Sequence, residues 1–343
     1  MNDVLVPIPV KEVMEAEEID QATLDIKLAA LKAVDLTTAT IAVYVVEISK
    51  INKVLRCKHA KLLECDPALL ARFGGYVTSS IVENSHISNL TEITTNQDNR
   101  FFYINSSETD FPQILTTLHP PQEKEDVSQV SGLDELKKFN AYVIEIYRGA
   151  NLSPLYGFRY ISQSWSPKNS SGGFFKLNND MVAVFDDSPI FRIDSYLDFI
   201  ALGEDLFIMD CAKFEMAMQY KDRLIERKSE TVTEIKESNI FVTDGESIFS
   251  SVIGTDKHFL RQLSSVQKKG FYKDPIWVGK LRNEAQAAGN WLLEFDAAGK
   301  IVVKEEREYV RELLTVLQNK RVQTVVDKHI FDVDGELMIQ VTR

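Results

Sequence analysis

Cysteine is scarce and unpaired in this chain of 343 residues: Cys57, Cys65 and Cys211 form no CxxC pair and leave an odd thiol over. That excludes a disulfide scaffold and suits a reducing cytoplasm. Cys57, His59 and Cys65 offer three donors in one stretch, short of the four a structural zinc site needs. The five histidines (His59, His86, His119, His258, His329) are scattered, with no HExxH pair, and read as surface or capping residues. Glycine and proline number 15 and 10, too few for a collagen-like or low-complexity chain. Long apolar runs are missing too, since residues 41–46 fall far below the ~20 a spanning helix needs. The first ten residues hold two prolines and an aspartate without a basic start, so no export signal is expected. GxxxxGK[ST], GxGxxG and GxSxG are all lacking, and no cofactor is expected. Cationic excess is absent as well: 39 Lys and Arg against 51 Asp and Glu give a net charge of −12, which excludes a generally basic nucleic-acid coat.

What remains is an ordinary globular composition, 44% hydrophobic and 26% charged, long enough for about two domains of ~150 residues. Leu24, Leu28 and Leu31 at i, i+4, i+7 predict an amphipathic helix after an acidic start at Glu12–Asp20. The β-branched run 40–48 predicts a buried strand. Asp66-Pro67 predicts a helix start, with Gly74-Gly75 as its stop, and a strand is expected at 100–104. Residues 119–132, polar and opened by two prolines, read as a linker. Beyond it, strands are expected at 141–147, 156–161, 181–185, 196–200 and 206–209, interrupted by a loop at 166–173. A helical pattern follows from Cys211 to about Gln286. The end reverts to strands at 291–295 and 301–303, a helix burying Val310, Leu313, Leu314 and Leu317, and a hairpin turning at Asp334-Gly335. The expected fold class is α+β: an N-terminal α/β region (1–118), a linker (119–132), and a larger mixed region of antiparallel hairpins with a helical insert (133–343). The first part is the more acidic per residue, with 10 Lys and Arg against 16 Asp and Glu.

The residues admit three functional classes. A metal-dependent nuclease would use Asp194, Asp198, Asp210 and Lys213, carboxylates and a lysine at neighbouring strand ends. The spacing argues against it, because Asp210 and Lys213 are three apart and Asp210 is well placed to cap a helix opening at Cys211. No metal or catalytic residue is therefore assigned. The second class is nucleic-acid contact by residues 257–282, where seven cations (Lys257, Arg261, Lys268, Lys269, Lys273, Lys280, Arg282) face one acid, Asp274. With Asp256 as cap and Gly270 as stop, Lys257, Arg261, Ser264 and Lys268 form one stripe opposite Phe259, Leu263 and Val266. Such a stripe suits a phosphate backbone, and Tyr272 could stack on bases. The reading requires that carboxylates from elsewhere in the fold do not neutralise the stripe. The third class is a protein-interaction module offering this basic helix to an acidic partner. Lys221, Arg223, Arg227 and Lys228 are interleaved with acids and read as an ion-paired helix surface. Tyr147, Arg148, Arg159 and Tyr160, near Trp165 and Lys168, could line a groove or be strand residues.

Residues 184–220 (VFDDSPIFRIDSYLDFIALGEDLFIMDCAKFEMAMQY) resemble the core of the KwaB family of the bacterial Kiwa anti-phage system. The pattern is an acidic strand, a turn, a second strand and a Phe-Glu pair opening a helix, here Asp198, Phe199, Ile200, Phe207, Ile208, Phe214 and Glu215. The likeness extends more loosely to about Arg282. The resemblance implies a DNA-binding, non-catalytic effector that restrains phage DNA replication or transcription. It further implies a homodimer or higher homo-oligomer, cytoplasmic but docked at the inner membrane on a small integral-membrane partner of the KwaA kind.

Overall fold

The computed structural model describes residues 19–51, 54–91, 98–119, 128–131, 133–136, 138–161, 175–178, 181–184, 195–218, 220–289, 291–323, 329–334 and 337–340. The expected loop at 166–173, Trp165, Lys168, Asp194, Gly335 and most of the 119–132 linker lie outside these residues.

Helix α1 (Gln21–Lys32) starts where the Asp20 carboxylate accepts from the Thr23 N–H at 2.7 Å, and it buries Leu24, Leu28 and Leu31. Strand β1 (Thr40–Ile51) pairs antiparallel with β2 (Val54–Leu62). Helix α2 (Pro67–Glu83) opens on Asp66, whose side chain accepts from Leu69 N–H at 2.8 Å. Gly74 and Gly75 do not stop it, contrary to expectation. A Cβ on Gly74 would lie 2.7 Å from Ile41 Cδ1, so that glycine serves close approach to β1. Interior glycine costs a helix roughly 1 kcal/mol, which burial of Phe73, Val77 and Ile81 more than offsets.

Strands β3 (His86–Asn89) and β4 (Arg100–Asn105) pair in parallel, followed by a 3₁₀ turn (Ser106–Glu108) and α3 (Phe111–Leu118). After α4 (Leu133–Leu136) come β5 (Ala141–Tyr147) and β6 (Leu155–Tyr160). Strands β7 (Phe175–Asn178) and β8 (Met181–Val184) form their own two-stranded ribbon, and β9 (Phe199–Leu202) and β10 (Asp205–Ile208) a tight hairpin. Helices α5 (Cys211–Met218), α6 (Tyr220–Ser238), α7 (Gly245–Ile253), α8 (Lys257–Lys269) and α9 (Pro275–Ala288) make up the helical stretch, and α10 (Arg307–Leu317) is the later helix that buries Val310, Leu313, Leu314 and Leu317. A final sheet is built from β11 (Arg321–Gln323), β12 (Ile330–Asp334) and β13 (Leu337–Gln340).

One eight-stranded sheet organises the molecule, in the order β2-β1-β5-β6-β9-β10-β4-β3, antiparallel except at β3–β4. Its period-2 alternation divides the apolar side chains between two cores. Val43, Val45, Tyr142, Ile144, Ile200 and Phe207 face α1 and α2. Val46, Val143, Phe158, Phe199, Leu206 and Ile208 face α3 and the later helices. The architecture is therefore α+β, as expected. The strands preceding residue 118 form both edges of this sheet and the strands following 133 form its centre, so the 119–132 segment does not divide two sheets. The hairpin expected at 291–303 is reduced among the described residues to a single bridge, Phe295 to Ile301, and Ile301 bridges Phe241 on its other side. No helix among the described residues is long and apolar enough to cross a membrane.

Candidate functional site

Helix α8 forms where the sequence predicts it. Asp256 accepts from His258 N–H at 2.9 Å and Phe259 N–H at 3.3 Å, and Gly270 stops the helix at φ +63°. Phe259, Leu260, Leu263 and Val266 are buried against the helical core. The opposite stripe is not the solvent-facing ridge that its spacing predicts. Arg261 has a side chain only 4% exposed, and its Nε donates to Glu215 Oε1 at 2.6 Å. Lys257 lies 3.8 Å from the same carboxylate. Ser264 is buried, and its hydroxyl has no hydrogen-bond partner among the described residues. Lys268 and Arg227 share Glu108, at 3.5 and 2.8 Å.

The following turn is neutralised in the same way. Tyr272 is buried and donates to Glu234 at 2.6 Å, and Lys273 pairs with that carboxylate at 2.9 Å. Burial raises the Glu234 pKa, but its bonds to Lys273, Tyr272 and Gln267 outweigh this and hold it below the ordinary carboxylate range. Lys269 is half-buried and engaged. Arg261, Ser264 and Tyr272 are thereby removed from any surface a polyanion could touch. Carboxylates brought from the 3₁₀ turn, α5 and α6 fill the positions assigned to phosphates.

Lys280 and Arg282 differ. Both stand on α9, which is capped by Asp274 accepting from Ile276 N–H at 2.8 Å. Lys280 is exposed and borders a cleft of about 460 Å³ beside Trp277 and Trp291. Arg282 lines a second cleft, of about 360 Å³, with Lys273 and Lys300. Lys300 was missed by sequence reasoning because it is a lone cation after a turn. No charge run marked it.

Three of the α6 cations reach groups outside the helix. Arg223 meets Asp110 at 2.5 Å, Arg227 meets Glu108, and Lys228 donates to the Ser250 and Gly254 carbonyls at 2.8 and 3.0 Å. Arg159 does not line a groove either: it is buried, ion-paired to Asp198 and stacked 3.7 Å from the Tyr196 ring. Elsewhere, buried Glu145 collects His119 at 2.8 Å, Tyr44 at 3.1 Å and Tyr156 at 3.2 Å. Burial, reinforced by Glu145, pushes the Tyr44 hydroxyl up to about 12.

The nuclease parts are not assembled among the described residues. The Asp198 carboxylate accepts from Arg159 and from the Tyr160 N–H, and burial pushes its pKa up to about 6. Asp210 caps α5, its Oδ1 accepting from Lys213 N–H at 3.0 Å. No cluster of three or more His, Cys, Asp or Glu able to hold a metal occurs among the described residues. Burial pushes the Cys57 thiol up to about 11 and that of Cys211 to about 12.

Compared with known proteins, the chain matches the family profile described as "Kiwa protein KwaB-like" over residues 136–327. No curated protein and no solved structure matches it. The matched stretch takes in the centre of the large sheet and α5 to α10, and leaves β1–β4 at the sheet edges outside. Since that stretch covers more than half of the chain, this protein belongs to the KwaB-like family of the Kiwa anti-phage defence system.

Proposed function

We propose that this KwaB-like chain is a DNA-contacting effector of Kiwa defence that does not hydrolyse its ligand, with α9 rather than α8 facing the DNA. One observation supports the shift. Once the cations held by Glu108, Glu215 and Glu234 and the engaged Lys269 are set aside, Lys280 and Arg282 remain on α9, and no carboxylate among the described residues pairs with either. Lys273, itself half-exposed, and Lys300 stand on the same side as Arg282. In a chain of net charge −12, such a local patch must carry the attraction for a polyanion. The occupied carboxylate of Asp198 and the capping role of Asp210 support the non-hydrolytic part. Family membership supports the rest of the reading: a small integral-membrane partner of the KwaA kind at the inner membrane, and a homodimer or larger homo-oligomer.

Fluorescence anisotropy with labelled duplex DNA tests the assignment. If Lys280, Arg282 and Lys300 each neutralise a phosphate, log K should fall with log salt at a slope of about −3. K280E combined with R282E should abolish most of the binding with the fold intact. Unchanged affinity in that double variant would remove α9 from the interface. Cleavage of plasmid in Mg²⁺ would favour the nuclease instead.

A further inference from the structure

The cleft between the end of α6, helix α9 and the turn at 296–300 has a construction of its own. The turn is tied down by Gly299 N–H to Asp296 O at 3.0 Å and Lys300 N–H to Asp296 Oδ1 at 2.8 Å. Ile301 N–H donates to Ile240 O at 2.8 Å, which fixes the turn against the chain leaving α6. Lys300 Nζ donates to Asn239 Oδ1 at 2.7 Å, and an ammonium has two further donors. Gly299 has φ +84°, and a Cβ there would overlap the Arg282 guanidinium. The absent side chain is thus what allows Arg282 to lie against the turn.

Three cations, Lys273, Arg282 and Lys300, therefore line one cleft of about 360 Å³, and no described lining residue is acidic. Lys273 is partly offset by Glu234 behind it, but no carboxylate among the described residues pairs with Arg282 or Lys300. A volume above ~300 Å³ is in the range of small-molecule sites. A planar guanidinium fork beside two ammonium groups matches a multiply charged, multi-oxygen anion.

We propose that this cleft seats a phosphate group. It can be supplied by a free nucleoside polyphosphate or by the backbone of DNA, and the second source rests on the reading of α9 as the DNA-facing helix. Calorimetric titration of the full chain with pyrophosphate, ADP and a short duplex tests it in wild type, K300Q and G299A. Each lost charge-assisted hydrogen bond should weaken phosphate-ligand binding about tenfold. G299A should also weaken it, although no charge changes, because the new methyl displaces the Arg282 guanidinium and the positive φ strains the turn that carries Lys300. Nucleotide binding lost in both variants with DNA binding unchanged identifies a free nucleotide as the source. A parallel loss of DNA affinity identifies the backbone. The proposal is overturned if neither variant changes the affinity for pyrophosphate, ADP or duplex. DNA binding sensitive to K280E would still stand in that case, which separates this failure from failure of the wider assignment.

Discussion

Arg261 shows how one side chain reverses the meaning of a helix face. By spacing it belongs to a cationic ridge, yet it is buried on Glu215. R261E would bury two carboxylates together, and breaking a buried pair typically costs about 3–5 kcal/mol. Urea denaturation should show a much lower midpoint for R261E. K280E, on an exposed position of α9, should stay within about 0.5 kcal/mol of wild type. Equal midpoints would mean that the Arg261–Glu215 pair does not form. Glu234 carries a pH signature. Because its folded pKa lies below the ordinary value of 4.5, its pairing contributes stability that is present above that value and lost as pH falls below it. E234Q should flatten this acid limb of the stability curve; an identical acid limb would refute the pairing with Lys273 and Tyr272.

Helices α2, α8 and α9 differ in how far local pattern explains them. The caps Asp66, Asp210 and Asp256 are readable because each bond spans only two or three residues, and Asp20, read only as part of an acidic start, caps α1 over the same short reach. Gly74 in α2 is not a helix stop, and the reason for it lies on β1. Gly75 has nothing within 4 Å of an added Cβ, whereas Gly74 meets Ile41. G75A should therefore raise stability by roughly 0.5–1 kcal/mol, and G74A should gain less or lose stability. Thermal melts giving equal gains for both would show that α2 and β1 are not in close contact at Gly74. For α8 the apolar face was legible from its period, and the polar face was not. The separation of Arg261 from Glu215 is 46 residues and that of Lys268 from Glu108 is 160, so no window along the chain contains both partners.

At the scale of the whole molecule, residues 1–118 and 133–343 complete one another. The earlier part supplies the flanking strands β1 and β4 that cover β5 and β10, and Glu108 and Asp110 for Arg223, Arg227 and Lys268. A fragment of residues 133–343 would expose the edges of β5 and β10, a template for aggregation, and leave three cations without their carboxylates. It is expected to aggregate on gel filtration and to lack a cooperative melt. A monomeric, cooperatively folding fragment would show instead that the two parts are separable.

The α+β class, most elements and the capping residues follow from interactions within a few positions along the chain, and the resemblance at residues 184–220 was written in the order of those same elements. Strand order, the neutralised face of α8 and the cleft at Lys300 come from contacts between distant segments. Charge acts through space, so a cation's partner is chosen by the fold that brings a carboxylate beside it, and helical spacing alone carries no record of that choice.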